Sequence, residues 1–480
     1  MQPGIPRLHA RSLAVSYLLA ALVPMALALT QRVAPADPLE LAAAALGMVA
    51  TLGMAIQFVT SGRFEGVSGA MGIDKIMGFH KIAAWWLLLA VLLHPLAYVA
   101  PTWADNPDLG RLRLEFYLTA PEYRTGVVSL GALLVLVLTS ALRERLPWRY
   151  EIWRGLHVVL ALIAVIAALH HAIAVGRFSA QGVLAGFWWL AGAGVALVMA
   201  VLYGWRWLRL HRQPWKLASV TEQAERMWEL DIQPQPGTPP LPYHAGQFVW
   251  MTEGKQRFPL FDHPFSISDS PAQPGLKLLI KEAGDFTNRI GALPPGRSIG
   301  IDGPYGEFTL EAHQPEAVLL IGGGVGIAPL LGIIRDMVAR GDPRPVRLAY
   351  AVGQPQNFAC IDELRAAAET LDLKLWLLSE DGPLEPDMTE GRLTPERLEQ
   401  MLDGLDPAST KALICGPGPM VVGVSDALLD LGMPMGNVIY ERFDYAGGLR
   451  SRQDRARTRG FLSVGGVLAL LVAGFAALAG

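Results

Sequence analysis

The stretch that most constrains this chain is residues 79–100, FHKIAAWWLLLAVLLHPLAYVA, an apolar run with a histidine near each end. About 20 such residues suffice to cross a bilayer as a helix. His80 and His94 are fourteen residues apart. At about 100° and 1.5 Å per residue, both rings lie on one helix face and are separated by roughly 21 Å along the axis. Polar side chains at this depth are costly, so they face the bundle interior, as packed interhelical donors or as functional groups.

A second apolar run, residues 152–175, repeats this pattern. It carries His157 at one end and the adjacent His170 and His171 near the other. On an ideal helix the spacing of fourteen brings His171 to the same face as His157, whereas His170 needs a local irregularity such as a π-bulge. The spacing therefore favours His171 and leaves His170 as the alternative.

The two runs together predict two level pairs of histidines. His80 pairs with His157, and His94 pairs with His170 or His171. Two axial imidazoles on one iron are typical of a haem used for electron transfer, and the lack of a Cys-x-x-Cys-His motif favours non-covalent b-type haem. The alternatives are a proton relay, or ligands of zinc or copper.

The chain divides into a membrane part and a soluble part. Its 480 residues are 52% hydrophobic and 17% charged, which is too charged for a chain that lies wholly in a membrane. Residues 213–450 read as soluble sequence. Six apolar runs precede them, near 12–30, 40–60, 79–100, 125–142, 152–175 and 183–205. Residues 12–28 could instead be a signal peptide.

Basic residues set the orientation of these runs. Alternate connections are rich in arginine and lysine, and the positive-inside bias puts them in the cytoplasm together with the soluble part. Segment 101–124 then becomes an outer loop. The basic residues on the inner side are Arg7, Arg11, Arg63, Lys75, Arg143, Arg145, Arg149, Arg154, Arg206, Arg209 and Arg212.

Composition excludes several classes of function. The two cysteines, Cys360 and Cys415, are too few for a thiolate-ligated iron–sulfur cluster or a disulfide framework, which fits a reducing compartment. No basic patch with interleaved aromatic residues indicates nucleic acid as a partner.

The soluble part shows two patterns in succession. Residues 215–311 hold short β-rich runs with turn residues, typical of a small antiparallel barrel. From residue 317 onward, buried strands alternate with helices, as in a doubly wound parallel sheet. The glycine loop 322–326 lies between a strand and a helix, where backbone N–H groups can approach a pyrophosphate.

Six motifs carry a resemblance to a known family. They are His263-Pro-Phe-Ser-Ile-Ser268, Gly284-Asp-Phe-Thr287, Gly303-Pro-Tyr-Gly306, Ile321 to Pro329, Cys415-Gly-Pro-Gly-Pro419 and Glu441-Arg-Phe443. In this order they resemble the ferredoxin-reductase-type flavoprotein domain. With the six helices and the histidine pairs, the chain is similar to the NADPH oxidase and ferric reductase transmembrane family.

The resemblance implies a multi-domain fold. Its parts are a six-helix transmembrane bundle binding two haems (1–210), a cytoplasmic antiparallel β-barrel FAD domain (213–312) and an α/β doubly wound NAD(P)H domain (315–448). The sequence adds a C-terminal seventh transmembrane helix (460–480), which is not part of the resemblance.

The resemblance also implies roles for individual residues. For FAD these are His263, Pro264, Phe265, Ser266, Ile267, Ser268, Lys281, Gly284, Phe286 and Thr287. For the dinucleotide they are Gly322, Gly323, Gly324, Val325, Gly326, Gly416 and Pro417, with Cys415, Glu441 and Phe443 beside the reacting rings. The metal ligands are His80, His94, His157 and either His170 or His171.

Two departures from the family leave questions open. Residues 353–357 offer no arginine for a 2′-phosphate, so NADH and NADPH both remain candidates. Residues 460–480 form an additional apolar run after the arginine-rich segment 450–459. Small residues at every fourth place, Gly465, Ala469, Ala473 and Ala477, suit packing on the bundle, on a second copy or on a membrane partner. A plain anchor is the alternative.

The expected function is transmembrane electron transfer. Electrons from cytoplasmic NAD(P)H would pass through FAD and two b-type haems to dioxygen outside the inner cell membrane. The alternatives are ferric or cupric reduction, or electron donation to a quinone or an extracytoplasmic protein.

Overall fold

A computed structural model of the chain describes residues 10–31, 33, 36–61, 73–180, 182–254, 258–311, 315–443 and 449–480. Arg7 and Arg63, used above for the orientation, lie outside the described residues. The chain forms two compact units. The first comprises Met1–Gly204 with Ala456–Gly480, and the second comprises Trp205–Arg455.

The first unit is helical. Among the described residues, seven helices are long and apolar enough to cross a membrane, and the second of them is the most enclosed by the others. The helices of this unit are α1 (Ala10–Leu29), α2 (Pro38–Val59), α3 (Ile73–Asp105), α4 (Pro107–Thr119), α5 (Arg124–Ala141), α6 (Tyr150–Val175), α7 (Gly182–Met199) and α13 (Arg452–Ala479). A π-helical turn, Ala200–Trp205, joins α7 to α8 (Arg206–Arg212).

The prediction of a loop at 101–124 is wrong, because this segment contains α4. The Asn106 side chain accepts hydrogen bonds from the backbone N–H groups of Asp108 and Leu109, at 3.1 and 3.2 Å. Pro107 occupies the first helical position, where its missing N–H and fixed φ are favourable. The local capping signals therefore outweigh the polar composition.

Helix α13 packs on the bundle of its own chain. Gly465 faces α3, where a Cβ would lie 2.2 Å from Cε2 of Trp86. Phe461 meets Phe79 edge to face, with ring centres 5.2 Å apart. The expected stripe of small residues is buried only at Gly465, since Ala469, Ala473 and Ala477 are exposed. Residues four apart drift by about 40° per step around an ideal helix, so such a stripe turns away from a straight packing face.

The first part of the second unit is a six-stranded antiparallel sheet with the order β4-β3-β6-β1-β2-β5. A bridge between Ile267 and Leu278 links the segment after β4 to β5, so the sheet closes on itself. The strands are β1 (Trp215–Ala224), β2 (Met227–Pro234), β3 (Phe248–Glu253), β4 (His263–Ser266), β5 (Leu276–Lys281) and β6 (Ser298–Tyr305).

The second part is a parallel sheet with the order β10-β9-β8-β7-β11-β12. Its strands are β7 (Ala317–Gly323), β8 (Val346–Val352), β9 (Leu373–Ser379), β10 (Met388–Glu390), β11 (Thr410–Gly416) and β12 (Val438–Arg442). The helices are α9 (Ile327–Arg340), α10 (Ile361–Thr370), α11 (Pro395–Leu402) and α12 (Gly418–Asp430). The chain order reverses between β7 and β11, where sheets of this kind bind ligands at the carboxyl ends of the strands.

Candidate functional site

The four predicted histidines of α3 and α6 come together in two pairs. The ring centres of His80 and His157 lie 6.4 Å apart, and those of His94 and His171 lie 6.3 Å apart. His170 points elsewhere: it is exposed, and its Nδ1 lies 3.3 Å from Oγ1 of Thr125. The structure thus brings His171, and not His170, opposite His94.

The separation within each pair suits one metal ion between two rings. With metal–nitrogen bonds of about 2.0–2.1 Å and a ring centre roughly 1.1 Å behind each nitrogen, two trans imidazoles have centres about 6.3 Å apart. Among the described residues, no group of three or more His, Cys, Asp or Glu side chains could hold a metal ion. A pair of imidazoles fits a haem, whose macrocycle supplies the remaining ligands.

Neighbouring helices orient two of these rings. Nδ1 of His94 lies 2.7 Å from the carbonyl oxygen of Ala43 in α2. Nδ1 of His157 lies 3.1 Å from Oγ of Ser140 in α5. A partner at Nδ1 fixes the ring and leaves Nε2 for a metal, which is the usual arrangement of ligating histidines.

Two glycines make room for the rings of the His94 pair. A Cβ on Gly47 of α2 would lie 2.7 Å from Cε1 of His94, and a Cβ on Gly126 of α5 would lie 2.8 Å from Cε1 of His171. Both distances are shorter than a normal carbon–carbon contact. Only glycine therefore fits at either position without displacing the histidine.

Aromatic rings surround the same pair. Tyr98 contacts His94 at 5.3 Å between ring centres, and Tyr123 contacts His171 at 6.2 Å. Tyr117 of α4 joins these two tyrosines, at 6.2 and 4.9 Å. No sequence motif indicates this cluster, because Tyr98, Tyr117 and Tyr123 come from three separate elements.

The segment expected to meet the flavin forms an aromatic surface. His263 stacks on Phe286 with ring centres 4.1 Å apart and planes inclined by 15°. Phe265 lies 6.2 Å from the same phenylalanine. Pro264 is exposed, whereas Ser266 is buried where β4 pairs with Phe248 of β3.

Ile267 and Ser268 occupy a different environment from the rest of this motif. Both are fully buried, and Ile267 belongs to the core of the barrel. The carbonyl oxygen of Ser268 accepts a hydrogen bond of 2.6 Å from Arg335 of α9. Ile267 thus packs in the core of the barrel, while Oγ of Ser268 is buried with no hydrogen-bond partner among the described residues. Their roles at FAD stay predictions.

The predicted pyrophosphate loop of the barrel is held closed by Thr287. Its Oγ1 accepts hydrogen bonds from the N–H groups of Ala283 and Gly284, at 2.8 and 3.0 Å. Gly284 borders open space, and Lys281 is exposed at the end of β5. Thr287 thus shapes the loop, while Gly284 leaves room for a ligand beside it.

The glycine loop after β7 divides into packed and open positions. A Cβ on Gly326 would lie 2.1 Å from the carbonyl oxygen of Cys415, and one on Gly323 would lie 2.9 Å from Cδ of Pro417. Gly324 has a φ of +55° and open space beside it. Gly324 and Val325 are the part of the loop that a pyrophosphate can approach, at the start of α9.

Three predicted residues lie side by side across neighbouring strands. Cys415 of β11 is in register with Gly322 of β7 and with Glu441 of β12. Cys415 is fully buried and belongs to the sheet's core, which gives its thiol a packing role. Glu441 faces the loop after β6, since a Cβ on Gly306 would lie 3.6 Å from its Oε1. Phe443 follows with 46% of its surface exposed.

Three family models match the chain. The ferric reductase like transmembrane component matches residues 46–168, an FAD-binding domain matches 214–309, and an oxidoreductase NAD-binding domain matches 320–426. The chain therefore combines FAD- and NAD-binding oxidoreductase domains with a transmembrane component whose helices meet the criteria for membrane spans. This combination matches the family in which a ferric reductase like transmembrane component is joined to FAD- and NAD-binding oxidoreductase domains. This combination of parts suggests transmembrane electron transfer from NAD(P)H.

Curated proteins and solved structures match part of the chain. The reductase component of propane 2-monooxygenase from Gordonia sp. (strain TY-5) is 32% identical over 192 residues, covering 37% of this chain and 54% of that protein. Flavohemoprotein A of Dictyostelium discoideum is 24% identical over 238 residues, covering 46% of this chain and 58% of that protein. A ferredoxin NADP+ reductase structure from Neisseria gonorrhoeae, with bound FAD and NADP, has 22% identity, a TM-score of 0.42, and coverage of 48% of this chain and 97% of that chain. The chain spans little more than half the length of the curated relatives that it matches.

Proposed function

We propose that this protein carries electrons from cytoplasmic NAD(P)H through FAD and two b-type haems to an acceptor on the other side of the inner cell membrane. Dioxygen is the first candidate acceptor, which would make the protein a superoxide-generating NAD(P)H oxidase. When bound, FAD would accept a hydride from NAD(P)H and release its two electrons singly and its proton to the cytoplasm, and haem would supply one-electron transfer.

The histidine pairs carry this proposal. Two pairs with ring centres 6.4 and 6.3 Å apart, on helices that meet the criteria for membrane spans, fit two separate haems. His80 and His157 would hold one haem, and His94 and His171 would hold the other. A zinc site would need more protein ligands at one place.

The soluble residues have complementary roles in the proposal. Ser266 and the stacked rings of Phe265, Phe286 and His263 would hold the isoalloxazine of FAD. Gly324 and Val325 would approach the pyrophosphate of NAD(P)H. Phe443, exposed beyond the end of β12, would cover the flavin until the nicotinamide displaces it.

The outer acceptor is open to two rivals. One is ferric or cupric ion, and the other is a quinone or an extracytoplasmic protein. Tyr123 of segment 101–124 contacts His171, and the segment contains no Cys or His. The lack of thiol and imidazole ligands disfavours cupric ion, whereas ferric ion, which oxygen ligands suit, stays a rival that the measurements below separate from dioxygen.

A difference spectrum tests the haem proposal directly. We expect the dithionite-reduced minus oxidised spectrum of the purified protein to show b-type bands, reduced by about half in His94→Ala. A wild-type protein without such bands would refute the proposal. Superoxide formation under air, compared with anaerobic Fe(III) reduction, then separates dioxygen from ferric ion as acceptor. Oxidation of NAD(P)H only in the presence of a quinone or a co-purifying protein would point to the third possibility.

Nucleotide preference is a separate part of the proposal. The turn after β8 offers Gly353, Gln354 and Asn357 but no guanidinium for a 2′-phosphate. We therefore propose that NADH is used at least as well as NADPH. Steady-state kinetics with both nucleotides measure this, and a strong preference for NADPH would contradict it.

A further inference from the structure

Residues 451–454, at the beginning of α13, form a hydrogen-bonded joint rather than a flexible linker. Oγ of Ser451 accepts a hydrogen bond from the N–H of Asp454, and Oδ2 of Asp454 accepts one from the N–H of Ser451, both at 3.1 Å. This reciprocal arrangement fixes the first turn of a helix. Ser451 is fully buried, which is unusual for a polar residue in a connection between elements.

This joint is attached to β12. Oδ1 of Asp454 accepts a hydrogen bond of 2.6 Å from the hydroxyl of Tyr440, which also lies 2.8 Å from Oγ of Ser451. The guanidinium of Arg442 forms an ion pair with the same Asp454. Nε2 of Gln453 donates to the carbonyl oxygen of Val438 at 3.1 Å. The first turn of α13 therefore holds β12 along its whole length.

The strand that is held in this way carries the candidate site on its other face. Side chains alternate along a strand, so Tyr440 and Arg442 point to one side, and Glu441 points to the other. Glu441 lies in register with Cys415 and faces Gly306. Among the described strands, β12 is the last of its sheet and pairs with β11, so its position depends on what supports its other edge.

We propose that Asp454 is a positioning residue for the nicotinamide end of the NAD(P)H site. It acts through Tyr440 and Arg442 on β12, and so places Glu441 and Phe443 against the reacting rings. This inference rests on the proposed function, namely that NAD(P)H reduces FAD at this end of the sheet. The charge of the carboxylate matters as well as its size, because it joins a hydroxyl and a guanidinium.

Three variants of the full chain test the proposal. Asp454→Ala removes the joint, and Tyr440→Phe removes only the hydroxyl that links β12 to it. Arg452→Gln is the matched control: its side chain lies in the same helical turn but pairs with Asp430 of α12, at 2.6 and 2.9 Å, and not with β12. Each protein is compared with wild type for FAD content, backbone hydrogen exchange and anaerobic flavin reduction.

A positioning role predicts a specific set of changes. In Asp454→Ala the limiting rate of flavin reduction by NADH should fall about 10-fold or more, as small misplacements do. The half-saturating NADH concentration should change less than about 3-fold, because the pyrophosphate loop is untouched. Amides of residues 438–443 should exchange faster. Tyr440→Phe should also lower the limiting rate and speed up exchange of residues 438–443. Arg452→Gln should match wild type in both.

The contrary results are equally definite. The proposal would be overturned if Asp454→Ala and Tyr440→Phe leave two quantities within about twofold of wild type. These are the limiting rate of flavin reduction and the exchange of residues 438–443. An equal loss in Arg452→Gln would overturn it too. If Asp454→Ala fails to accumulate, Tyr440→Phe decides. If neither NADH nor NADPH reduces the wild-type flavin, the proposed function fails, and exchange of residues 438–443 still decides whether Asp454 holds the strand.

Discussion

Gly126 lies directly against the ring of His171, so that a Cβ at this position would be 2.8 Å from Cε1 of the histidine. This contact joins α5 to the His94 pair. A substitution at Gly126 therefore tests whether haem binding needs the space beside His171, without removing a histidine ligand.

Gly126→Ala should therefore disturb one haem while all four paired histidines remain. The added methyl group overlaps the imidazole, and overpacking of this kind costs about 1–3 kcal/mol. We expect loss or altered potential of one of two haem components in a redox titration followed by absorbance. Gly131→Ala in the same helix is the control, because nothing lies within 4 Å of its Cβ position. Equal titrations for the two variants would contradict the prediction.

Adjacent histidines provide a second test. His171→Ala should lose about half of the bound haem, because it removes one of two axial ligands from one site. His170→Ala should retain its haem, since its ring is exposed and lies near Thr125. Haem per chain is measured by the pyridine haemochrome method. The reverse outcome would show that the helix register in solution differs from the one described.

The packing of α13 gives a third prediction. Gly465→Leu should destabilise the membrane unit by about 1–3 kcal/mol, because its side chain collides with Trp86. Gly466→Leu should be nearly neutral, because nothing lies within 4 Å of its Cβ position. The midpoint of thermal unfolding in detergent is measured for both variants and for wild type. A neutral Gly465→Leu variant would mean that α13 does not pack on α3.

A pH-dependent contact lies in the soluble unit. Nδ1 of His244 is 3.1 Å from Oε2 of Glu311, and this hydrogen bond raises the pKa of His244 above its usual 6.5. Because the pKa of His244 is higher in the folded than in the unfolded protein, the contact contributes its full stabilising free energy below about pH 6.5. This contribution is lost as the pH rises through the folded-state pKa. Because both side chains are partly exposed, the gain should be below about 1 kcal/mol.

The measurement is a comparison of His244→Gln with wild type. Wild type should release its flavin at the higher temperature near pH 6, and the difference should vanish at alkaline pH. A difference that grows with pH would contradict the assignment, because the sign of the linkage would be reversed.

The sequence predicts the regular elements well where periodicity is strong. Strands alternating with helices are predicted from residue 317 onward, and β8 and β9 are among those found there. The fourteen-residue spacing selects the histidine that the structure places opposite His94, because helical geometry is a local property. In contrast, α4 was missed, since a 13-residue helix with several charges has no strong apolar period.

Contacts between distant parts of the chain could not be predicted in this way. The carbonyl of Ala43 orients His94 from 51 residues away, and nothing in either local sequence indicates it. The inward turn of Ile267 depends on the bridge to Leu278, which closes the barrel. The joint at Asp454 depends on contacts with β12, which ends a dozen residues earlier. The composition of 450–459 does not reveal these contacts and indicates only an arginine-rich linker.

The histidine pairs have a consequence for how the protein is made. Their rings belong to α3 and α6, while α2 and α5 contribute the Ala43 and Ser140 contacts and the two glycines. A ligand bound between the rings would thus tie four helices together, and a ligand that binds only the folded state stabilises it by mass action. Cells short of that ligand would hold a looser bundle that quality-control proteases can reach, so the abundance of the protein should follow cofactor supply even at constant gene expression.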